Sequence, residues 1–252
     1  MLKNNIVPIV IHEVVESVCV DFGDITIASL KKIFSQNPNS YITIQDLNDK
    51  SIDRNVFLYM VTFDDGHLSN YTIVFPLLES LGVKATFFIN TGSIGKPGFL
   101  DWNMVVEMQK KGNVFGSHGH NHLKMTDISL QESKYEFIKS KELYELNTGM
   151  EISLFSFPHG LYNNRLLELS IECGYSNCFI SKHGVIHLIG GVIPRNSINS
   201  SMDNSDISKI LNPSIVVLSK WFLEDKIKYI VKNIIGEHFY KILRRMVLKS
   251  TI

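Results

Sequence analysis

Two aspartates stand side by side in Thr62-Phe63-Asp64-Asp65-Gly66. They directly follow Val56-Phe57-Leu58-Tyr59-Met60-Val61, an apolar run that reads as a buried strand. A carboxylate pair in such a place is costly unless it is paired or metal-bound. Successive strand side chains point apart, so the two carboxylates can take separate roles, one binding a cation and the other accepting a proton. Alone, Asp-Asp-Gly would also suit a turn. A second group favours the chemical reading: Ser117-His118-Gly119-His120-Asn121-His122. On a helical turn, the four-residue spacing of His118 and His122 sets two imidazoles on one face, the geometry a divalent metal needs. His120, between them, would point elsewhere. Two histidines with Asp65 leave open positions for water and substrate. That donor set suits catalytic Zn²⁺, and also Fe²⁺, Co²⁺ or Ni²⁺.

Elements must bring these residues together. Apolar runs without polar alternation at 6–11, 56–62, 85–90, 113–117, 152–157 and 178–181 read as strands covered on both faces. Between them, 28–35, 69–81, 102–111, 129–146 and 165–173 read as helices. Asp101 is a candidate N-cap, and Gly112 and Gly174 are helix stops. Strand–helix alternation implies a parallel sheet, closed into a barrel or open and doubly wound. The polar residues fall where such sheets build sites, just past strand ends. His12 follows the first strand, Asp64 and Asp65 the second, His118 the fourth, and Pro158-His159-Gly160 the fifth. The Asn/Ser-rich stretch 196–205 reads as a surface loop.

The chain has 252 residues, room for one large domain with a buried core. Its 25 Lys and Arg balance 25 Asp and Glu, so no global basic field points to nucleic acid. Three cysteines, Cys19, Cys173 and Cys178, read as buried apolar thiols of a reducing compartment. The first apolar run is too short for a leader or a membrane span, which suits a cytoplasmic location.

In this order and spacing the motifs resemble the polysaccharide deacetylases, the NodB-homology group of carbohydrate esterase family 4. The resemblance covers roughly residues 6–200. It rests on Val7-Pro8-Ile9-Val10-Ile11-His12, on Thr62-Phe63-Asp64-Asp65-Gly66, and on Phe75-Pro76-Leu77-Leu78 followed by Lys84-Ala85-Thr86-Phe87-Phe88. It continues in Gly116-Ser117-His118 with His122, in Phe155-Ser156-Phe157-Pro158-His159-Gly160, and in Pro194-Arg195. It implies a distorted barrel of seven or eight βα units over 1–212. It also implies that Asp64 is the general base, that Asp65, His118 and His122 hold the metal, and that the His159 backbone N–H serves the oxyanion. The expected reaction removes an N-acyl group, foremost acetyl, from an amino sugar of a glycan or its lipid-linked precursor.

Three departures from the family pattern stand out. The third motif usually carries an arginine that orients the base, and here the position is Ser156. Arg195 is the candidate for the missing guanidinium. The late Leu-His motif that supplies the general acid is absent after residue 200; His12 is the better candidate, ahead of His187. Gly119 replaces a Ser or Thr, removing a hydroxyl expected to steady the histidine loop. Tyr162 and Trp102 are aromatic candidates beside the site, Tyr162 for a sugar ring and Trp102 by default for packing.

Residues 213–252 differ in character, reading as one or two helices with a basic, amphipathic end. They suit packing on the barrel or peripheral contact with an anionic membrane. Two other readings stay open from sequence: a deformylase or amidase for a small substrate, and a catalytically silent carbohydrate-binding protein.

Overall fold

The computed structural model describes residues 6–19, 21, 23–35, 40–49, 56–186, 191–224 and 226–227. The chain divides into two compact units, Met1–Asn212 and Pro213–Ile252. His187 and most of the basic C-terminal segment lie outside the described residues.

Among the described residues, the first unit has ten strands: β1 (Ile6–Ile11), β2 (Val14–Val15), β3 (Ile25–Thr26), β4 (Leu58–Phe63), β5 (Thr86–Ile89), β6 (Val114–Ser117), β7 (Leu154–Ser156), β8 (Asn177–Ile180), β9 (Gly191–Pro194) and β10 (Asn196–Ser197). Eight of them form one parallel sheet in the order β10-β1-β4-β5-β6-β7-β8-β9, while β2 and β3 form a separate ribbon. The sheet's two ends are one continuous piece of chain. β9 pairs with β8, β10 pairs with β1, and a single residue, Arg195, lies between them. The sheet therefore curls into a nearly closed barrel whose seam is residue 195. This corrects the surface-loop reading of 196–205: Asn196 and Ile198 are wholly buried, and helix α6 (Asn204–Leu211) starts at Asn204. A short polar strand gives no apolar run to read, because its partners are set by barrel closure rather than by local pattern.

The two-residue period of a strand explains what points inward. Leu58 and Met60 of β4 join Phe88 of β5, Val114 of β6, Leu154 of β7, Phe179 of β8 and Ile193 of β9 in one buried cluster. Continuing each inward row by steps of two residues reaches Thr62 and Asp64, Asn90, His118, Ser156, and Arg195. The barrel interior thus turns from apolar to polar within two residues, at the strands' carboxyl ends. Gly116, on the β6 row, is required by packing, because a Cβ there would sit 2.3 Å from the Phe88 ring.

The alternate residues face helices. Phe63, Phe87 and Phe115 form a ring stack on the outer face, and Phe155 packs edge-on against Phe137 of α4 (Leu130–Thr148). The remaining helices are α1 (Ile27–Ser35), α2 (Phe75–Leu81), α3 (Trp102–Lys110) and α5 (Asn164–Glu172). Their caps follow local chemistry. Asp101 accepts the Met104 N–H at the start of α3, and Ser129 and Glu132 form a reciprocal capping box on α4. Trp102 packs edge-on against Tyr144. Of the cysteines only Cys178 is buried, and Cys19 and Cys173 are partly exposed.

Candidate active site

Asp64 extends the inward row of β4 and is buried with 2% exposure. The Arg195 guanidinium forks onto it, Nη1 donating to Oδ1 at 2.6 Å and Nη2 to Oδ2 at 2.7 Å. Nη1 also donates to Thr62 Oγ1 at 3.0 Å, and Nη2 to Ser156 Oγ at 2.7 Å. Ser156 Oγ in turn donates to Asp64 Oδ2 at 3.1 Å. The guanidinium carbon lies 5.3 Å from the Phe88 ring centre and 5.8 Å from that of Phe179, so its planar cation rests between aromatic faces. Burial alone would push the Asp64 carboxyl up. Arg195, then His118, overrides it and holds the group below the usual carboxylate range.

Asp65 leaves the strand in a left-handed turn, φ 73°. This changes the sequence expectation that the two carboxylates point apart. Both reach His118 Nε2, Asp65 Oδ1 at 3.4 Å and Asp64 Oδ2 at 3.8 Å. Asn90 Nδ2 donates to the Asp65 carbonyl at 2.9 Å and supports the turn. His122 Nε2 lies 3.1 Å from the same Oδ1. The donor atoms of Asp65, His118 and His122 all fall within 4.8 Å of one another.

These residues fit a divalent cation. Asp65 Oδ1 is buried and makes no hydrogen bond, although it faces two imidazole nitrogens. His118 Nδ1 is 2.7 Å from the Ser156 carbonyl, which can only accept, so Nδ1 carries the proton and Nε2 presents a lone pair to the cluster. A backbone acceptor fixing the far nitrogen is the usual support of a metal-binding histidine. Burial disfavours protonated His118, yet Asp64 and Asp65 outweigh it and raise its pKa in the metal-free protein.

The helical-turn argument for His118 and His122 is corrected by the backbone. Residues 118–122 form a loop, with Gly119 at φ 81° and His122 at φ 56°. The two rings meet, centroids 4.8 Å apart, because the chain reverses. His120 does point elsewhere, its Nδ1 3.0 Å from Thr91 Oγ1.

His12 follows β1 and is half-buried; its Nδ1 is buried without a hydrogen-bond partner. Burial lowers its pKa, while Asp64 and Asp65 pull the other way, which puts the ring in the field of both carboxylates. His159 is an exposed residue at φ 59°, its ring 4.8 Å from that of His122. Tyr162 is half-buried and leans on the Phe157 ring at 5.8 Å, a packing contact. His67 escaped sequence reasoning, although it directly follows the aspartate motif. Its Nε2 is 3.6 Å from Asp65 Oδ2, its Nδ1 is 3.7 Å from Glu13, and it stacks on Phe99.

Comparison with known proteins bears on the family and the fold. The polysaccharide deacetylase family profile matches residues 53–178, half of the chain. YxkH of Bacillus subtilis is 33% identical over 116 residues, 46% of this chain and 42% of that protein. The peptidoglycan-N-acetylglucosamine deacetylase PgdA of Listeria monocytogenes is 33% identical over 110 residues, 43% of this chain and 22% of that protein. This chain spans less than half the length of the curated relatives it matches. The Streptococcus pyogenes deacetylase PplD, solved with acetate, shares the fold at a TM-score of 0.74 and 18% identity, covering 84% of this chain and all of that one. The matched region, half of the chain, holds the aspartate pair, both loop histidines and Ser156: the chain belongs to the polysaccharide deacetylase family.

Proposed function

We propose that this chain hydrolyses the N-acyl amide, foremost N-acetyl, of an amino sugar in a glycan or a glycan precursor. The observation that carries the reading is the Asp65, His118 and His122 donor cluster set beside a buried, arginine-clamped Asp64. A divalent cation held by Asp65, His118 and His122, of which Zn²⁺ suits the donors well, would supply Lewis acidity and ease the ionisation of water.

The other steps fall to the chain's own groups. Asp64, kept ionised by Arg195, takes a proton from the attacking water. The water oxygen joins the acyl carbon, the C–N bond breaks, and the acyl group leaves as a carboxylate. His12, half-buried with an unpartnered Nδ1, hands a proton to the departing amine. The His159 backbone N–H, in the turn after β7, is the donor assigned to the oxyanion.

Acetate release from N-acetylglucosamine oligomers tests this, with and without EDTA and with metal returned. Activity should vanish on chelation, return with Zn²⁺ and be lost in Asp64→Asn. Release indifferent to chelation and to Asp64→Asn would sink the mechanism. A silent sugar-binding protein drew its support from Ser156, where the family usually has arginine, and from the absent late Leu-His motif. Arg195 at 2.6 Å from Asp64 weakens that support.

Residues 213–252 hold eight Lys or Arg against three Asp or Glu. The described helical part exposes Ile215, Val216, Phe222, Leu223 and Ile227. That combination supports peripheral contact with an anionic membrane, from the cytoplasmic side, and a lipid-linked substrate. No described helix is long and apolar enough to cross a membrane. Co-sedimentation with anionic but not neutral vesicles checks the contact, and equal failure on both removes it.

A further inference from the structure

The loop carrying both histidines is steadied by something the sequence does not advertise. Glu136 lies in α4, fully buried at 1% exposure. Its Oε2 accepts the backbone N–H of His120 at 2.8 Å and of Asn121 at 2.7 Å. Its Oε1 accepts the Asn121 side-chain amide at 2.8 Å. Three donors converge on one buried carboxylate, all from the chain between His118 and His122. The expected loss of a steadying hydroxyl at Gly119 is thus offset from another element. Glycine also suits this site, since its φ is 81° and a Cβ would come within 3.2 Å of Glu136 Oε2.

The other side of the loop rests on the end of β5. His118 N donates to the Ile89 carbonyl at 2.8 Å, Thr91 N to Gly119 O at 3.2 Å, and Gly92 N to His120 O at 2.8 Å. Those bonds tie down residues 118–120. Glu136 holds 120–121, next to the reversal where His122 takes its left-handed φ of 56°. For a non-glycine residue that conformation is unfavourable by roughly 1–2 kcal/mol and persists only where its surroundings impose it. Without the carboxylate, the His120 and Asn121 N–H groups lose their shared acceptor, and the loop relaxes by letting residues 121–122 swing. His122 Nε2 then leaves Asp65 Oδ1.

From this we infer that Glu136 is a positioning residue for the cation site, setting its affinity through His122 without touching it. The inference rests on the reading of Asp65, His118 and His122 as a metal site. The Gln substitution is informative because it keeps the shape but replaces one acceptor by an NH₂ group and removes the charge.

The experiment is a Zn²⁺ titration of purified full-length protein by competition with a chromophoric chelator. Wild type, Glu136→Gln, Glu136→Asp and Asn121→Ala are compared, with the metal-free melting temperature measured alongside. Glu136→Gln should weaken binding about 10–100-fold, the range found when outer partners of metal ligands are lost. Glu136→Asp, which keeps the charge, should recover part of it. If a substrate is in hand, the activity lost in Glu136→Gln should return as Zn²⁺ is raised, which a fold defect would not allow. Should Glu136→Gln fail to fold, Asn121→Ala, which removes only the bond to Oε1, should still weaken Zn²⁺ binding. A folded Glu136→Gln with wild-type Zn²⁺ affinity overturns the inference, as does Asn121→Ala with wild-type affinity where Glu136→Gln does not fold. A wild type that binds no Zn²⁺ overturns instead the metal reading beneath it.

Discussion

Replacing Arg195 by methionine tests whether the barrel seam and the reactive carboxylate depend on one side chain. Arg195 is 1% exposed and Asp64 is 2% exposed, so neither charge has water to fall back on. The substitution removes two charge-assisted bonds to Asp64 and two to hydroxyls, and leaves the buried carboxylate with the Ser156 hydroxyl and, at 3.8 Å, His118 Nε2. Breaking a buried pair from one side costs about 3–5 kcal/mol. For a unit of this size each kcal/mol moves the melting point about 2–4 °C, so the expected fall is roughly 6–20 °C. Arg195→Lys keeps the charge but loses the fork, and should fall between. The double variant Asp64→Asn/Arg195→Met should lose less than the sum of the single changes, by about 0.5–3 kcal/mol.

The pH dependence has a definite sign. In the wild type the folded Asp64 pKa lies below its unfolded value, so the pair's contribution is complete above the ordinary carboxylate range, near pH ~4. It is lost as pH falls through the lower folded value. In Arg195→Met the burial effect, which raises the pKa, is left with less opposition. If it wins, that variant is most stable at low pH and weakens as pH rises past about 4. Thermal melts from pH 3 to 8, with chelator present to remove metal linkage, read both effects. A melting point within about 2 °C of wild type, or strictly additive double-variant losses, would refute the view of Arg195 and Asp64 as one buried unit.

Three further outcomes follow. Asp64→Asn should cut acetate release about 10²–10⁴-fold while Zn²⁺ binding persists, because proton acceptance and metal holding belong to different carboxylates; isothermal titration separates the two. His12→Asn should lower kcat by a similar factor with little change in KM, as expected of a proton donor to the leaving amine; steady-state kinetics decides, and an unchanged kcat removes His12 from the mechanism. Gly92→Ala would put a Cβ 2.6 Å from the His120 carbonyl, so it should destabilise the protein by about 1–3 kcal/mol and weaken Zn²⁺ binding, read by urea unfolding and metal competition.

The legible parts of this protein are those where the chemical residues sit next to a local pattern. Asp64, Asp65 and His118 each end an apolar strand, so position and chemistry arrive together. The same logic recovered six of the barrel strands and the helices between them to within a few residues. What stayed hidden is non-local. β9 and β10 are short, contain Gly191 and Pro194, and owe their strand character to partners at opposite ends of the sheet. Glu136 lies on a helix whose buried face also takes Ser133 and Ser140, so no apolar stripe marks it. His122 was paired with His118 through a helical spacing that the loop does not have.

Ser156 and Arg195 make sense only together, and that yields the sharpest prediction. Where the family usually places its base-orienting arginine, this chain has a serine whose hydroxyl bridges Arg195 and Asp64. Here a guanidinium reaches the carboxylate at the end of β4 from the seam between β9 and β10. Ser156 is fully buried and its hydroxyl lies 2.7 Å from Arg195 Nη2, so an arginine at 156 would bring a second cation against the first. Ser156→Arg should therefore be severely destabilising, through about 1–3 kcal/mol of overpacking and a further penalty for an unpaired buried charge. Exchanging the two, Ser156→Arg with Arg195→Ser, restores one guanidinium per carboxylate and should recover much of that loss, along with activity. Melting temperatures and acetate release of the two variants decide the matter. A stable Ser156→Arg single variant would mean the interior holds two guanidinium groups, and the two positions would then not be alternatives for one role.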